Sequence, residues 1–386
     1  MDPAATLADH HRIDRAVWRV GDLDVPIRTK VGVRGHPGVD PALIALAEPL
    51  RRGRMELDGR VLDLTGAPAA LPVWATGAGV AAQWTVASTS AATIAAARAT
   101  LAAAGLEAPV VAALPWEVEE RFDAVVWRPP ADRGVRRVAA ELAAVARRLC
   151  DGGTAWLLQH KDEGAKRTEK AAAERFASAD VVAREGGWRL SALRGPLLAA
   201  EVEPWTSFAA PDGPMHAILG AFAAEKVDPG TRVLLATLAE HGSAPGRLLD
   251  LGCGTGLLAR AALVAGALEV VAVDDDLAAV RSAARNLGDD PRARVVHADL
   301  TAGEVGSGFD EVWCNPPFHV GRQVVGALSR AFVAAAHEAL RPGGEAWFVA
   351  NRALPYEAEL EGWAAWGDAT PAAERSFKVL WARRSG

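Results

Sequence analysis

The chain has 386 residues, half of them hydrophobic, and its 42 Lys and Arg against 48 Asp and Glu give a net charge of −6. That length predicts two domains with a core each, and the acidic balance excludes a blanket nucleic-acid coat. No window of about 18 residues is apolar and uncharged, so no membrane partner is expected, and Cys150, Cys253 and Cys314 are spaced too widely for a disulfide framework or zinc-ligand pairs, so no metal is expected.

The N-terminal stretch MDPAATLADHHRIDR is acidic and polar, without the apolar core of a signal peptide, and predicts a cytoplasmic protein. Basic clusters then gather in the first half: RTKVGVRGH from Arg28, RRGR from Arg51, RGVRR from Arg133 and KRTEK from Lys166. Up to residue 195 there are 26 basic and 24 acidic side chains; beyond it there are 16 and 24. The asymmetry favours a surface for an anionic partner in the first half.

Two stretches of the chain answer each other. RVLDLTGAPAALPVWATGAG starts at Arg60 and RLLDLGCGTGLLARAALVAGA at Arg247, while RFDAVVWRPPADRG is answered by GFDEVWCNPPFHVG. Phe122 and Phe309 are 187 residues apart, as are Pro129 and Pro316. An offset held over about 70 residues marks two copies of one fold rather than a short-period solenoid.

Each copy alternates short apolar strands with alanine-rich helices. In the second, strands are expected at RLLDLG, EVVAVD, ARVVHAD, FDEVWC and EAWFVAN, with SFKVLWARR as the last. That alternation predicts an α/β fold: two tandem Rossmann-like domains with mostly parallel, doubly wound sheets and ligands at the carboxyl ends of the strands. The boundary is expected near residues 195–205, dividing the chain into 1–200 and 201–386. At the strand ends the offset sets Ala87 against Asp274, Ala112 against Asp299, Arg128 against Asn315 and Ala131 against Phe318. The first copy keeps a framework and has lost a site; it is degenerate.

Gly252, Gly254 and Gly256 follow a strand and open a helix, where missing Cβ atoms let the backbone turn tightly and approach a ligand. A dinucleotide fingerprint needs a third glycine three places after the second, but position 257 is Leu. The spacing fits the loop of S-adenosyl-L-methionine enzymes, with Asp250 before it and Cys253 within it. Asp274, beside Asp275, ends the next strand, where a carboxylate suits the ribose hydroxyls. Asp299 ends the third strand, where it suits an adenine amino group.

Asn315, Pro316, Pro317 and Phe318 form a rigid turn after a buried strand, since each proline fixes φ and lacks an N–H. An exocyclic base amine or an amide nitrogen is a poor nucleophile because its lone pair is delocalised. The Asn315 side-chain oxygen and the Pro316 carbonyl suit its N–H groups, and the prolines hold both acceptors still. Phe318 suits stacking on a flipped or single-stranded base. His319 either contacts substrate or caps the loop.

These motifs resemble the ribosomal RNA guanine-N2 methyltransferases of the small-domain superfamily, the RsmC/RlmG type. The likeness rests on FAAPDG, VDPGTRVLLATL, LLDLGCGTGLLA, CNPPFHVGRQ, ALRPGGEAWFVANRALPY and SFKVLWARR, covering most of residues 205–386, and more loosely on residues 1–200. It implies two class I methyltransferase domains, the N-terminal one (1–200) serving RNA recognition and the C-terminal one (201–386) catalysis. It implies S-adenosyl-L-methionine as cofactor and ribosomal RNA or a ribosomal subunit as partner. Cofactor roles fall on Asp250, Gly252, Gly254, Gly256, Asp274 and Asp299, and target-base roles on Asn315, Pro316, Pro317 and Phe318. Asn351 and Lys378 match family motifs without a chemical role of their own, and the insertion PMHAILGAFAAEK departs from the family pattern after Asp212. Rival readings are a protein-glutamine methyltransferase, another nucleic-acid or small-molecule amine methyltransferase, and a non-enzymatic RNA-binding scaffold.

Overall fold

The computed structural model describes residues 2–197, 202–243, 245–317 and 322–386. The chain forms two compact units, Ile13–Pro204 and Met1–Arg12 together with Trp205–Gly386. Helix α1 (Pro3–His11) therefore belongs to the second unit. The division expected at 1–200 differs at its start because α1 packs on a helix of the C-terminal unit, with Leu7 against that unit's core.

The first unit opens with a hairpin, β1 (Asp14–Val20) and β2 (Leu23–Thr29), followed by α2 (Pro41–Arg51). Then come β3 (Gly59–Leu64), α3 (Ala70–Gly77), β4 (Ala82–Ser88), α4 (Ala91–Ala104) and β5 (Val110–Ala112). The unit continues with β6 (Phe122–Trp127), α5 (Val135–Arg147), β7 (Leu149–His160), α6 (Ala165–Ala172), β8 (Phe176–Glu185) and β9 (Trp188–Pro196).

The second unit repeats the plan. Its hairpin is β10 (Trp205–Ala210) and β11 (Gly213–Ile218), followed by α7 (Pro229–Glu240). Next are β12 (Arg247–Leu251), α8 (Leu257–Val264), β13 (Glu269–Asp274), α9 (Leu277–Leu287) and β14 (Ala293–His297). β15 (Phe309–Cys314), α10 (Arg322–Ala339), β16 (Leu340–Asn351), β17 (Ala365–Asp368) and β18 (Phe377–Arg383) complete it.

The sheets run β5-β4-β3-β6-β7-β9-β8 and β14-β13-β12-β15-β16-β18-β17. Numbered within each sheet, both read 3-2-1-4-5-7-6. The first five strands are parallel, and one strand, β9 or β18, runs antiparallel between its two neighbours. This is the class I methyltransferase fold, twice. The strand order reverses between β12 and β15, and a ligand crevice lies outside the carboxyl ends there.

Local chemistry accounts for the elements. Val270–Val273 of β13 are fully buried, as a parallel strand covered on both faces requires. The β1 hairpin strand alternates exposed and buried residues because one face alone meets the core. Asp228 caps α7, its Oδ2 accepting from the Thr231 N–H at 2.9 Å, and Pro229 opens the helix where no N–H is needed. β16 begins at Leu340, earlier than EAWFVAN predicts, and pairs with β15 across a register shift between Phe309 and Glu311. The two hairpins and β17 were not expected.

Candidate active site

Gly252, Gly254 and Gly256 turn the chain between β12 and α8 with φ of +78°, +52° and +79°. The Gly252 and Cys253 N–H groups both donate to the Val273 carbonyl at 2.9 Å, tying the loop to β13. A Cβ at Gly256 would stand 3.0 Å from the Ala283 Cα, and one at Gly252 3.1 Å from the Phe332 ring. The cradle is open because these positions are glycine.

Asp274 lies beside the loop. Its Oδ2 accepts from the Gly254 N–H and its Oδ1 from the Asp276 N–H, both at 2.9 Å, so the carboxylate plane is set. Each carboxylate oxygen has a second acceptor site, which suits a vicinal diol. Asp275 is half-buried, and its carbonyl meets His297 Nε2 at 2.8 Å.

Asp250 is fully buried under the loop. Its Oδ2 accepts from the Ala259 N–H in α8 at 2.9 Å, while Oδ1 is buried without a partner. Burial pushes its carboxyl up to about 7, against the Ala259 hydrogen bond and with the charge of Asp274 adding to the rise. Burial likewise raises the Cys253 and Cys314 thiols well above 9, so neither is poised as a nucleophile.

Asn315 follows β15. Its Nδ2 donates to Asp228 Oδ2 at 2.9 Å and to Thr231 Oγ1 at 2.8 Å. A carboxylate only accepts, so the amide's nitrogen must face Asp228 and its oxygen must face away. That oxygen, Oδ1, is buried and has no hydrogen-bond partner. Such an acceptor is costly to leave unmatched, and a site that awaits an N–H donor explains it. A pocket lined by Asn315, Asp228, Thr231, Phe222 and the Gly252–Thr255 segment joins this acceptor to the glycine cradle. Pro316 is buried and Pro317 exposed, whereas Phe318 and His319 lie outside the described residues.

Asp299, beyond β14, is placed away from that pocket's lining. Its Oδ1 lies 2.8 Å from His10 Nε2, on α1. Asn351 accepts from the Ala353 N–H at 3.0 Å and so closes a turn. Buried Lys378 donates to both Glu357 oxygens at 2.6 Å. Asp212 is exposed in the turn between β10 and β11.

Asp228, Thr231 and His10 escaped the sequence reading. The one available signal was Asp-Pro-Gly-Thr as a helix start, which says nothing about a partner 84 or 87 residues away.

The repeated fold and its single furnished switch point define a methyltransferase-type domain pair. The chain belongs to the methyltransferase small-domain family, whose model matches residues 24–192 and again 213–380. It is similar to the ribosomal RNA large subunit methyltransferase G of Streptomyces avermitilis, 35% identical over 43% of this chain and 46% of that one. It also resembles the ribosomal RNA small subunit methyltransferase C of Chromohalobacter salexigens, 33% identical over 62% of this chain and 72% of the relative. The chain thus spans about half the length of the large-subunit relative. Among solved structures, the T. thermophilus 16S rRNA N2 G1207 methyltransferase in complex with AdoMet and guanosine is 32% identical, covers 98% of this chain and 99% of its own, and superposes with a TM-score of 0.80. Among the described residues no helix is long and apolar enough to cross a membrane.

Proposed function

We propose that this chain methylates the exocyclic 2-amino group of a guanine in ribosomal RNA, in the cytoplasm, with S-adenosyl-L-methionine as methyl donor. One observation carries the chemistry: the Asn315 amide is pinned through its nitrogen, and its buried oxygen waits beside the glycine cradle. The nature of the matched relatives and the guanosine in the similar solved structure support the target.

The glycine cradle, Asp274 and Asp299 would hold the cofactor along its length, the ribose at Asp274 and the adenine at Asp299. When bound, it supplies an electrophilic methyl group on a sulfonium centre. Asn315 Oδ1 and the Pro316 carbonyl accept the two amine N–H groups, which orients the nitrogen lone pair and stabilises charge growing there. The nitrogen bonds to the methyl carbon as the carbon–sulfur bond breaks, sulfur keeps the electron pair, and the amine gives a proton to solvent. Phe318 is assigned to stacking on the guanine.

The unit Ile13–Pro204 is assigned to gripping RNA. It carries 25 basic and 24 acidic side chains, against 17 and 24 in the rest of the chain. On α6, Lys166, Arg167 and Lys170 are exposed together. Reversing all three to Glu should lower the log–log salt slope of RNA binding by about 2 and leave cofactor binding alone; an unchanged slope removes this face from the interface.

The primary test is nucleoside mass spectrometry of separated small- and large-subunit RNA with and without the gene. Loss of N2-methylguanosine from one subunit is expected. An unchanged profile in both removes ribosomal RNA from the reading.

A further inference from the structure

The N-terminal helix is separated in sequence from the catalytic unit by 192 residues of the other unit, yet it ends at that unit's third strand loop. α1 packs on α10, and Leu7 sits against the core cluster that contains Ala298, Leu300 and Phe332. Asp2 secures the start of the helix, its Oδ1 accepting from the Ala4 and Ala5 N–H groups at 3.1 and 3.3 Å. At its other end His10 is 4% exposed, and its Nε2 lies 2.8 Å from Asp299 Oδ1. His11 Nδ1 is 3.8 Å from Asp299 Oδ2, too far for a hydrogen bond.

A carboxylate only accepts, so His10 Nε2 carries the proton of this contact, while His10 Nδ1 is buried without a partner. The three side chains offer metal-type ligand atoms within 4.8 Å of one another. Atoms 2.8 Å apart are nevertheless joined through a proton, because two ligands at about 2.0–2.1 Å on a tetrahedral ion stand farther apart. The next residue, Leu300, has φ of +54°, a conformation that a non-glycine residue keeps only where its surroundings enforce it. The backbone and the carboxylate of Asp299 are thus both held, one by the loop and one by α1.

We propose that His10 is a positioning residue for the adenine end of the cofactor site. Its Nε2–H fixes the plane of the Asp299 carboxylate, so that the remaining acceptor capacity is already oriented for the adenine 6-amino group. The helix carrying His10 is a clasp whose seating and cofactor affinity reinforce each other. This rests on the assignment of Asp299 to adenine under the proposed function. It predicts an effect on cofactor affinity and adenine selectivity without one on turnover at saturating cofactor.

The test uses the full chain and compares binding of S-adenosylhomocysteine with that of S-inosylhomocysteine, which has a carbonyl oxygen in place of the 6-amino group. His10→Ala should weaken S-adenosylhomocysteine about tenfold and shrink its preference over the inosine analogue by a similar factor. His10→Gln, which keeps an N–H donor at the same reach, should stay within about threefold of wild type on both. A ratio of affinities does not depend on the folded fraction, so a destabilised variant remains informative. Loss of affinity without loss of preference would make His10 merely structural and overturn the proposal. Unchanged binding in His10→Ala, with weakened binding in Asp274→Ala and Asp299→Ala, would overturn the clasp and leave the cofactor site standing. Wild-type binding in both aspartate variants would instead overturn the cofactor site itself.

Discussion

The two copies share a strand order and part company at the carboxyl end of the fourth strand. In each, an aspartate caps the helix before the sheet: Asp40 accepts from the Ala42 N–H at 2.8 Å, Asp228 from the Thr231 N–H at 2.9 Å. In the C-terminal unit Asp228 meets the Asn315 amide, which leaves one acceptor unmatched. In the degenerate unit Arg128 stands at that position and binds Asp40 at 2.5 Å, with Glu163 at 3.4 Å and the Trp188 ring 4.8 Å away. Both side chains of the Arg128–Asp40 pair are nearly buried, at 8% and 5% exposure. The first strand differs less. Thr65 occupies the place of Gly252 and gives its hydroxyl to Asp63 Oδ1 at 2.6 Å, yet Asp63 Oδ2, like Asp250 Oδ1, is buried without a partner. At the fourth strand, then, the place of the unmatched amide is taken by a paired charge, because a buried polar group without a partner is costly.

The comparison breaks first at Arg128. Arg128→Ala would strand Asp40 in a buried setting, and removing one partner of a buried pair costs about 3–5 kcal/mol. Urea unfolding should show that loss in the Ile13–Pro204 transition alone; an unchanged transition would mean that the ion pair does not hold the degenerate site together. Next comes Asn315→Ala, expected to slow methyl transfer by about 10²–10³-fold, as loss of one preorganised hydrogen bond does. Cofactor affinity should hold, since Asn315 is assigned to the target amine; loss of that affinity would reassign the residue to the cofactor.

The buried aspartates add a pH test. Burial holds Asp250 near 7 and Asp63 near 6, against 3.8 in an open chain. Each folded unit therefore keeps a proton that its unfolded chain gives up. The stability this contributes is complete below pH 3.8 and is lost as pH rises through about 7 for Asp250 and about 6 for Asp63. Asp250→Asn should flatten the fall in stability between those limits in the C-terminal unit, measured by urea midpoints across pH. An equally steep fall in the variant would rule Asp250 out as its source.

The strands and helices of the C-terminal unit were legible because apolar runs and alanine-rich stretches alternate at their own periods, and the 187-residue offset checked one copy against the other. The glycine cradle and the Asn-Pro-Pro turn were legible because each places chemistry in consecutive residues. What escaped lies between distant residues. Asp228 reads locally as a helix cap, and its second duty to Asn315 exists only after folding. His10 reads as one of two polar residues at the end of a short helix, 289 positions from Asp299. β17 is four residues long, too short to show a period.

A smaller effect tests the orientation of the Asn315 amide. Asp228→Asn keeps a good helix cap, so stability should hold. It replaces an acceptor-only carboxylate with a group that can either donate or accept, and Asn315 can then turn its oxygen inward. A fall of about tenfold in turnover, the worth of roughly one hydrogen bond, is expected with cofactor affinity unchanged. Full activity would mean that Asp228 serves the helix alone.

The smallest expected effect separates what the fold needs from what the site needs. Ala69 and Gly256 occupy matching places, each just before a helix and each left-handed, with φ of +55° and +79°. The strand-to-helix turn thus demands a left-handed residue in both copies, and alanine tolerates it in one. Gly256→Ala adds a Cβ 3.0 Å from the Cα of Ala283, so it should cost about 2 kcal/mol in the C-terminal unit and weaken cofactor binding by displacing the cradle. Ala69→Gly relieves the left-handed strain but frees the unfolded chain, and the two nearly cancel to within about 1 kcal/mol. Changes of equal size and opposite sign at the two positions would mean that the glycine serves only the turn. A larger cost at Gly256 would trace it to the close approach of α9 beneath the glycine loop.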